Sequence, residues 1–198
     1  MIRLKPLLAL MAALAMTACV SLPEAEAPPQ RYTLAPLAAQ ESGSDLRVAV
    51  AMPEVPAGLA SDRIAVLRSG GRMDHLAGAR WVAPLPELLK DFLATSVENR
   101  LGATAWGNQP ARFRLVTAVR DFQAEYPEGD GRPPAVRVTL VAVLWDQAKG
   151  QPVLRRRLSD SRRLDENRLE AVTAGLEGLL KRLTGTLLEG MPAAVAEE

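Results

Sequence analysis

The sequence predicts an α/β protein: a two-layer sandwich in which a mostly antiparallel mixed sheet carries two amphipathic helices on one face. Three observations predict it. Two segments, Pro84–Leu101 and the stretch from Asp165 to Leu187, repeat apolar residues every three or four positions, the spacing of one helix face. Several other segments alternate polar and apolar side chains, as strands buried on one side do. The order is three strands, a helix, a run of strands and a helix, which favours hairpin pairing with the helices gathered on one face.

The chain opens with Arg3 and Lys5, then the apolar run Leu7–Met16, then Thr17-Ala18-Cys19. A charged start, an apolar stretch and small residues make residues 1–18 a secretory signal. The run is too short to span a bilayer, which takes about 20 apolar residues. Met16-Thr17-Ala18-Cys19 resembles the lipobox of bacterial lipoproteins, in which the cysteine is acylated and becomes the new N-terminus. Cys19 is the sole cysteine, so lipidation is its expected use; the alternative is a free thiol beside ordinary cleavage after Ala18. Residues 19–30 then form a tether. Its stretch Val20–Gln30, VSLPEAEAPPQ, has three prolines and no apolar period, and a polyproline-like state extends it by ~3.1 Å per residue.

Residues 31–190 form the expected folded domain and 191–198 a flexible tail. Arg31–Leu34 reads as a short strand. Leu46–Met52 alternates and stops at Pro53 and Pro56. Arg63–Arg68 is a strand stopped by Ser69-Gly70-Gly71, and the stretch from there to Trp81 reads as loop. In the first helix Leu85, Leu88, Leu89, Phe92, Leu93, Val97 and Leu101 share a face. Pro84 and Pro86 suit its first turn, and Gly102 its stop. Ala103–Trp106 is a brief strand. Arg112–Gln123 is a longer one, with Phe122 out of phase, as at a bulge or bend. A turn over 125–134 follows. Ala135–Gln147 is apolar on both faces over Val138–Leu144, which predicts a central strand. Pro152–Ser161, with Arg155, Arg156 and Arg157, reads as an edge strand. Asp165 is the expected N-cap of the last helix; Gly190 and Pro192 end it.

Composition excludes several functions. The chain has 24 Lys plus Arg against 23 Asp plus Glu. Two of the basic residues and none of the acidic ones fall in residues 1–18, so the remainder carries a net charge of −1. A nucleic-acid binder needs a basic surplus to replace counterions, so none is expected. One cysteine and one histidine exclude an internal disulfide, a Cys-based zinc site and a multi-His metal site. No metal and no cofactor are expected. No G-x-S-x-G, Walker A, H-E-x-x-H or G-x-G-x-x-G pattern occurs, and no catalytic residue is expected.

The remaining polar features have simple structural readings beside functional ones. His75 follows Asp74, with Ser69 nearby, which admits a Ser-His-Asp set; adjacent Asp and His, however, point different ways on most backbones. Glu125, Glu128 and Asp130 admit calcium but lack EF-hand spacing, and a hairpin turn accounts for them. Arg155–Arg157 and Arg162–Arg163 could meet acidic lipid or an acidic partner; an edge strand guarded by charge is the simpler explanation. Trp81, Trp106 and Trp145 read as core or interface anchors.

From about Arg31 to Leu188 the chain resembles the ABC-type transport auxiliary lipoprotein component family, the PqiC/YmbA-like group that accompanies MCE-domain proteins. The resemblance rests on Tyr32-x-Leu34, Val48-x-Val50, Pro56-x-x-Leu59, Asp62-Arg63-Ile64 leading to Arg68, and Trp81 with Ala83-Pro84-Leu85. It continues with Leu115, Val119 and Phe122, then Val138-x-Leu140 and Trp145. It implies an outer-membrane lipoprotein facing the periplasm, without catalytic activity. Its implied partners are an MCE-domain protein and, through it, an ABC permease and ATPase that move lipid between membranes. Acyl chains on Cys19 would supply the membrane contact. Partner contact is expected around Arg63, Arg68 and Trp81, since loops on a rigid scaffold often bind; Trp81 as a core plug is the competing expectation. Two alternatives remain: an envelope adaptor for a cell-wall synthase or secretion assembly, and a hydrolase using His75.

Overall fold

A computed structural model describes residues 28–40, 46–102, 111–129 and 131–196. The signal, Cys19, most of the tether, Ala103–Trp106 and Asp130 lie outside the described residues.

Among the described residues seven strands form one sheet: β1 (Gln30–Tyr32), β2 (Val48–Val50), β3 (Arg63–Arg68), β4 (Met73–Trp81), β5 (Phe113–Tyr126), β6 (Ala135–Asp146) and β7 (Gln151–Arg163). Helix α1 (Leu85–Leu101) crosses from β4 to β5; α2 (Leu169–Glu189) and the short α3 (Met191–Ala196) follow β7. The strand order is β1-β4-β3-β5-β6-β7, with β2 paired to the start of β5. The long ladders β5–β6 and β6–β7 are antiparallel. The short ladders β1–β4, β2–β5 and β3–β5 are parallel. The sheet is therefore mixed and open, as expected.

Sequence period explains the long strands. On β5 Phe113, Leu115, Thr117 and Val119 alternate inward, and the register with β6 shifts between Val119 and Asp121. That bulge carries the extra residue Arg120 and returns Phe122, Ala124 and Tyr126 to the buried side. The expected bulge at Phe122 is thus present. β6 lies between two long partners, the central place that its two-sided apolar pattern predicts. β7 is the sheet edge, also as expected.

Helix α1 buries the predicted leucine face and ends at Gly102, whose φ of 61° and N–H bond of 3.0 Å to the Glu98 carbonyl close the last turn. The segment after β1 runs along it. The Ser96 hydroxyl accepts from the Leu37 amide at 3.1 Å, and Asn99 Nδ2 donates to the Leu37 carbonyl at 2.7 Å. Both helices pack their leucines against the same inward residues, including Ile64, Val66, Phe122, Val138 and Leu140, in one core cluster. A second cluster at the far end joins Val97, Phe113, Leu144, Leu187 and Met191.

Four expectations change. The stretch before Trp81 is strand β4, because the Ser69–Gly71 turn folds it back on β3. Gly70 and Gly71 take φ of 74° and 76° there, a conformation that favours glycine. The helix after β7 starts at Leu169 with Arg168 at its N-cap, not at Asp165. Leu164, whose amide bonds the Pro134 carbonyl at 2.9 Å, is still held to the sheet, Asn167 Oδ1 accepts the Tyr126 hydroxyl at 2.8 Å, and Arg168 is extended, so the helix begins only after it. Beyond Gly190 the chain forms helix α3, with Met191 fully buried. β1 and β2 are three residues each, shorter than their alternation.

Candidate functional site

The two faces of the sheet differ. The inward face meets the helices. On the other face the register places Arg114, Trp145, Val116, Val143, Ala118 and Val141 in adjoining rows, with Arg155 and Arg157 of β7 opposite Val143 and Val141. Val116, Val141, Val143 and Trp145 are half-buried and belong to neither core cluster. No described helix covers them. A cleft of ≈ 320 Å³ lies beside Trp145 and Arg114. The arginines of this face are exposed, and none of Arg114, Arg155 and Arg157 has a carboxylate partner among the described residues. This face is an apolar stripe rimmed by exposed arginines. Sequence alternation alone could not single it out, because it marks both faces of β6 as apolar without saying which one the helices cover.

Asp146 fixes the end of this face. Its carboxylate is fully buried and receives Arg112 Nη2 at 2.9 Å and the Ala148 amide at 2.9 Å. Burial alone would raise its pKa; the Arg112 guanidinium and the Lys149 and Ala148 amides outweigh it and hold the carboxyl below its usual range.

The β3–β4 hairpin holds the other predicted residues. Trp81 is only 1% exposed, with its ring 5.8 Å from that of Phe122. It fills the core beneath α1, so any contact made by this strand passes through its neighbours. Arg68 donates from Nε to Asp74 at 2.9 Å and lies over the Tyr126 ring at 6.0 Å. Arg63 is exposed on β3 opposite Arg80, which pairs with Asp62 at 2.9 Å.

His75 does not form the triad that its neighbours admit. Asp74 Oδ1 accepts the His75 backbone N–H at 2.8 Å, and its other oxygen accepts Arg68. The carboxylate is thus engaged with groups other than the imidazole, and these bonds hold it below its usual pKa. Burial, then the nearby Arg63 and Arg80 charges, push the His75 pKa down. Glu125 is bound by Arg137 at 2.6 Å and Glu128 by Arg163 at 3.0 Å and by Arg132. Among the described residues no acidic or histidine cluster could hold a metal ion. No described helix is long and apolar enough to cross a membrane.

Comparison with known proteins adds the family. Residues 32–187 match the family described as ABC-type transport auxiliary lipoprotein component. The fold is similar to that of a Xanthomonas campestris protein of the DUF330 family, with a TM-score of 0.74 and 22% identity over 85% of this chain and 97% of that one. It is also similar to an uncharacterized protein of solved structure, with a TM-score of 0.67 and 16% identity over 83% of this chain and 99% of that one. No curated protein matches the sequence.

Proposed function

This chain belongs to the family of ABC-type transport auxiliary lipoprotein components, and from that premise we propose that it is a non-catalytic docking module at the periplasmic face of the outer membrane. Acyl chains on Cys19 hold it there. It engages an MCE-domain protein and, through that protein, the permease and ATPase of a lipid transport system.

The observation that carries this reading is the family match across residues 32–187. Two physical features support it. Several acyl chains bury enough methylene groups, at about 0.8 kcal/mol each, to anchor a domain durably. A short tether then raises the domain's effective concentration for a partner near the same surface. The docking surface in this reading is the open sheet face, where Trp145, Val143 and Val141 provide apolar contact and Arg114, Arg155 and Arg157 select an acidic rim on the partner.

The test is affinity capture of the full-length protein, extracted from its host's membranes and read by mass spectrometry, with a Cys19→Ala copy alongside. Recovery of an MCE-domain protein, reduced in the Cys19→Ala copy, is the expected result. Recovery of cell-wall synthases or secretion components in its place overturns the reading.

A further inference from the structure

At the end of the sheet where the chain enters, one cross-strand row consists of arginines. Arg31 of β1 is in register with Arg80 of β4, and Arg80 with Arg63 of β3. Because Ala79 and Trp81 point into the core, Arg80 and its row partners project to the opposite, open face. Like charges directly opposite on neighbouring strands destabilise a sheet. Only Arg80 is neutralised, by Asp62, whose two oxygens lie 2.9 and 3.1 Å from Nη1. Arg31 and Arg63 are exposed and have no carboxylate partner among the described residues. The row therefore costs stability, and folding gives no reason for it.

Beside the row is a cleft of ≈ 520 Å³, lined by Pro29, Arg63, Leu76, Ala77, Gly78 and Arg80, among others. It arises from the register shift between Arg63 and Ala65, opposite which β4 accommodates the extra residues before Arg80. Gly78 takes φ of 69° within that bulge, and the position its Cβ would occupy is open space.

We propose that this cleft binds the phosphate of a phospholipid headgroup. Guanidinium groups match phosphate oxygens with paired N–H donors, and Pro29, Leu76 and Ala77 offer an apolar wall to the organic part of the ester. Free phosphate shares the anionic chemistry but has no use for that wall. Pro29 is ten residues from Cys19, so an acylated Cys19 keeps the cleft within about 35 Å of a bilayer. That last point rests on the anchoring proposed above; the cleft and its cations do not.

The test uses full-length protein in nonionic detergent and phenylglyoxal, which modifies accessible arginines, with modification at each residue followed by peptide mass spectrometry. Dihexanoylphosphatidylglycerol or inorganic phosphate is added at equal ionic strength. The lipid is expected to slow modification of Arg31 and Arg63 about tenfold at a concentration about ten times its Kd, and to leave Arg155 and Arg157 unchanged. Arg63→Gln is expected to abolish protection of Arg31 while the unfolding midpoint rises or stays at that of the parent, since one like charge leaves the row. Equal protection by inorganic phosphate overturns the lipid assignment. Uniform slowing at all four arginines, or none, overturns the site. Either outcome is independent of whether an MCE-domain protein is captured.

Discussion

Single residues in this domain divide into those that hold the fold and those that face outward. Trp81 holds it. With 1% exposure and Phe122 against its ring, Trp81→Ala leaves a cavity that α1 cannot fill. The expected loss is about 3–5 kcal/mol, read from urea unfolding; an unchanged midpoint would place the side chain outside the core. Asp146 holds it electrostatically. Its pKa is depressed in the folded state by Arg112 and two amides. The sign follows: the stability it contributes is present in full above the ordinary carboxylate value of 3.8 and is lost as pH falls through the lower native value. Asp146→Asn is expected to reduce stability at neutral pH and to flatten the acid limb of the stability–pH curve. The same urea midpoints, measured from neutral pH downward, check it; a parallel loss in both proteins would remove Asp146 as the cause.

At the scale of elements, α2 illustrates how a helix finds its place on a sheet. Gly175 faces β6, and a Cβ there would sit 2.9 Å from Leu164 Cδ2 and 3.1 Å from Val136 Cγ2. Leu164 can swing aside, but Val136 is a stiff β-branched residue within a strand. Gly178 lies on the exposed side of the same helix with nothing within 4 Å. Replacing an exposed helical glycine by alanine gains about 0.5–1 kcal/mol, so Gly178→Ala is expected to raise the unfolding midpoint. Gly175→Ala is expected to lower it, since overpacking costs about 1–3 kcal/mol. Equal gains in both would mean that α2 sits further from β6. Asp160 on β7 and Arg182 on α2, 2.7 Å apart, join the same two layers at the edge.

For the whole molecule, the asymmetry of the sheet matters most. One side is covered by α1 and α2; the other shows an apolar stripe edged by Arg114, Arg155 and Arg157. Charge reversal by Arg155→Glu with Arg157→Glu alters only exposed side chains, so stability is expected to stay within about 0.5 kcal/mol per substitution. Capture of an acidic-rimmed transport partner is expected to fall steeply. Undiminished capture would move the docking surface elsewhere. The same double variant should leave lipid protection of Arg31 and Arg63 intact, because those residues lie at the opposite end of the sheet order.

The sequence alone was sufficient for the features set by local chemistry. Apolar spacing marked α1 and its glycine stop, a short apolar run before Ser69-Gly70-Gly71 marked β3, and alternation marked the core side of β5. The phase slip at Phe122 marked the bulge. The family resemblance was equally legible. Features set by distant neighbours were not. Nothing in the run from Met73 to Trp81 declares it a strand, because its pairing to β3 depends on a glycine turn and its pairing to β1 on a partner about fifty residues away in sequence. Asp165 has the chemistry of an N-cap, yet Asn167 is bonded to Tyr126 of β5 and Arg168 is extended, which delays the helix. Trp81 admits both core and contact roles in the sequence, and only its packing against Phe122 beneath α1 places it in the core. The row of Arg31, Arg80 and Arg63 exists only in the folded sheet, since cross-strand register, not sequence distance, decides which charges become neighbours.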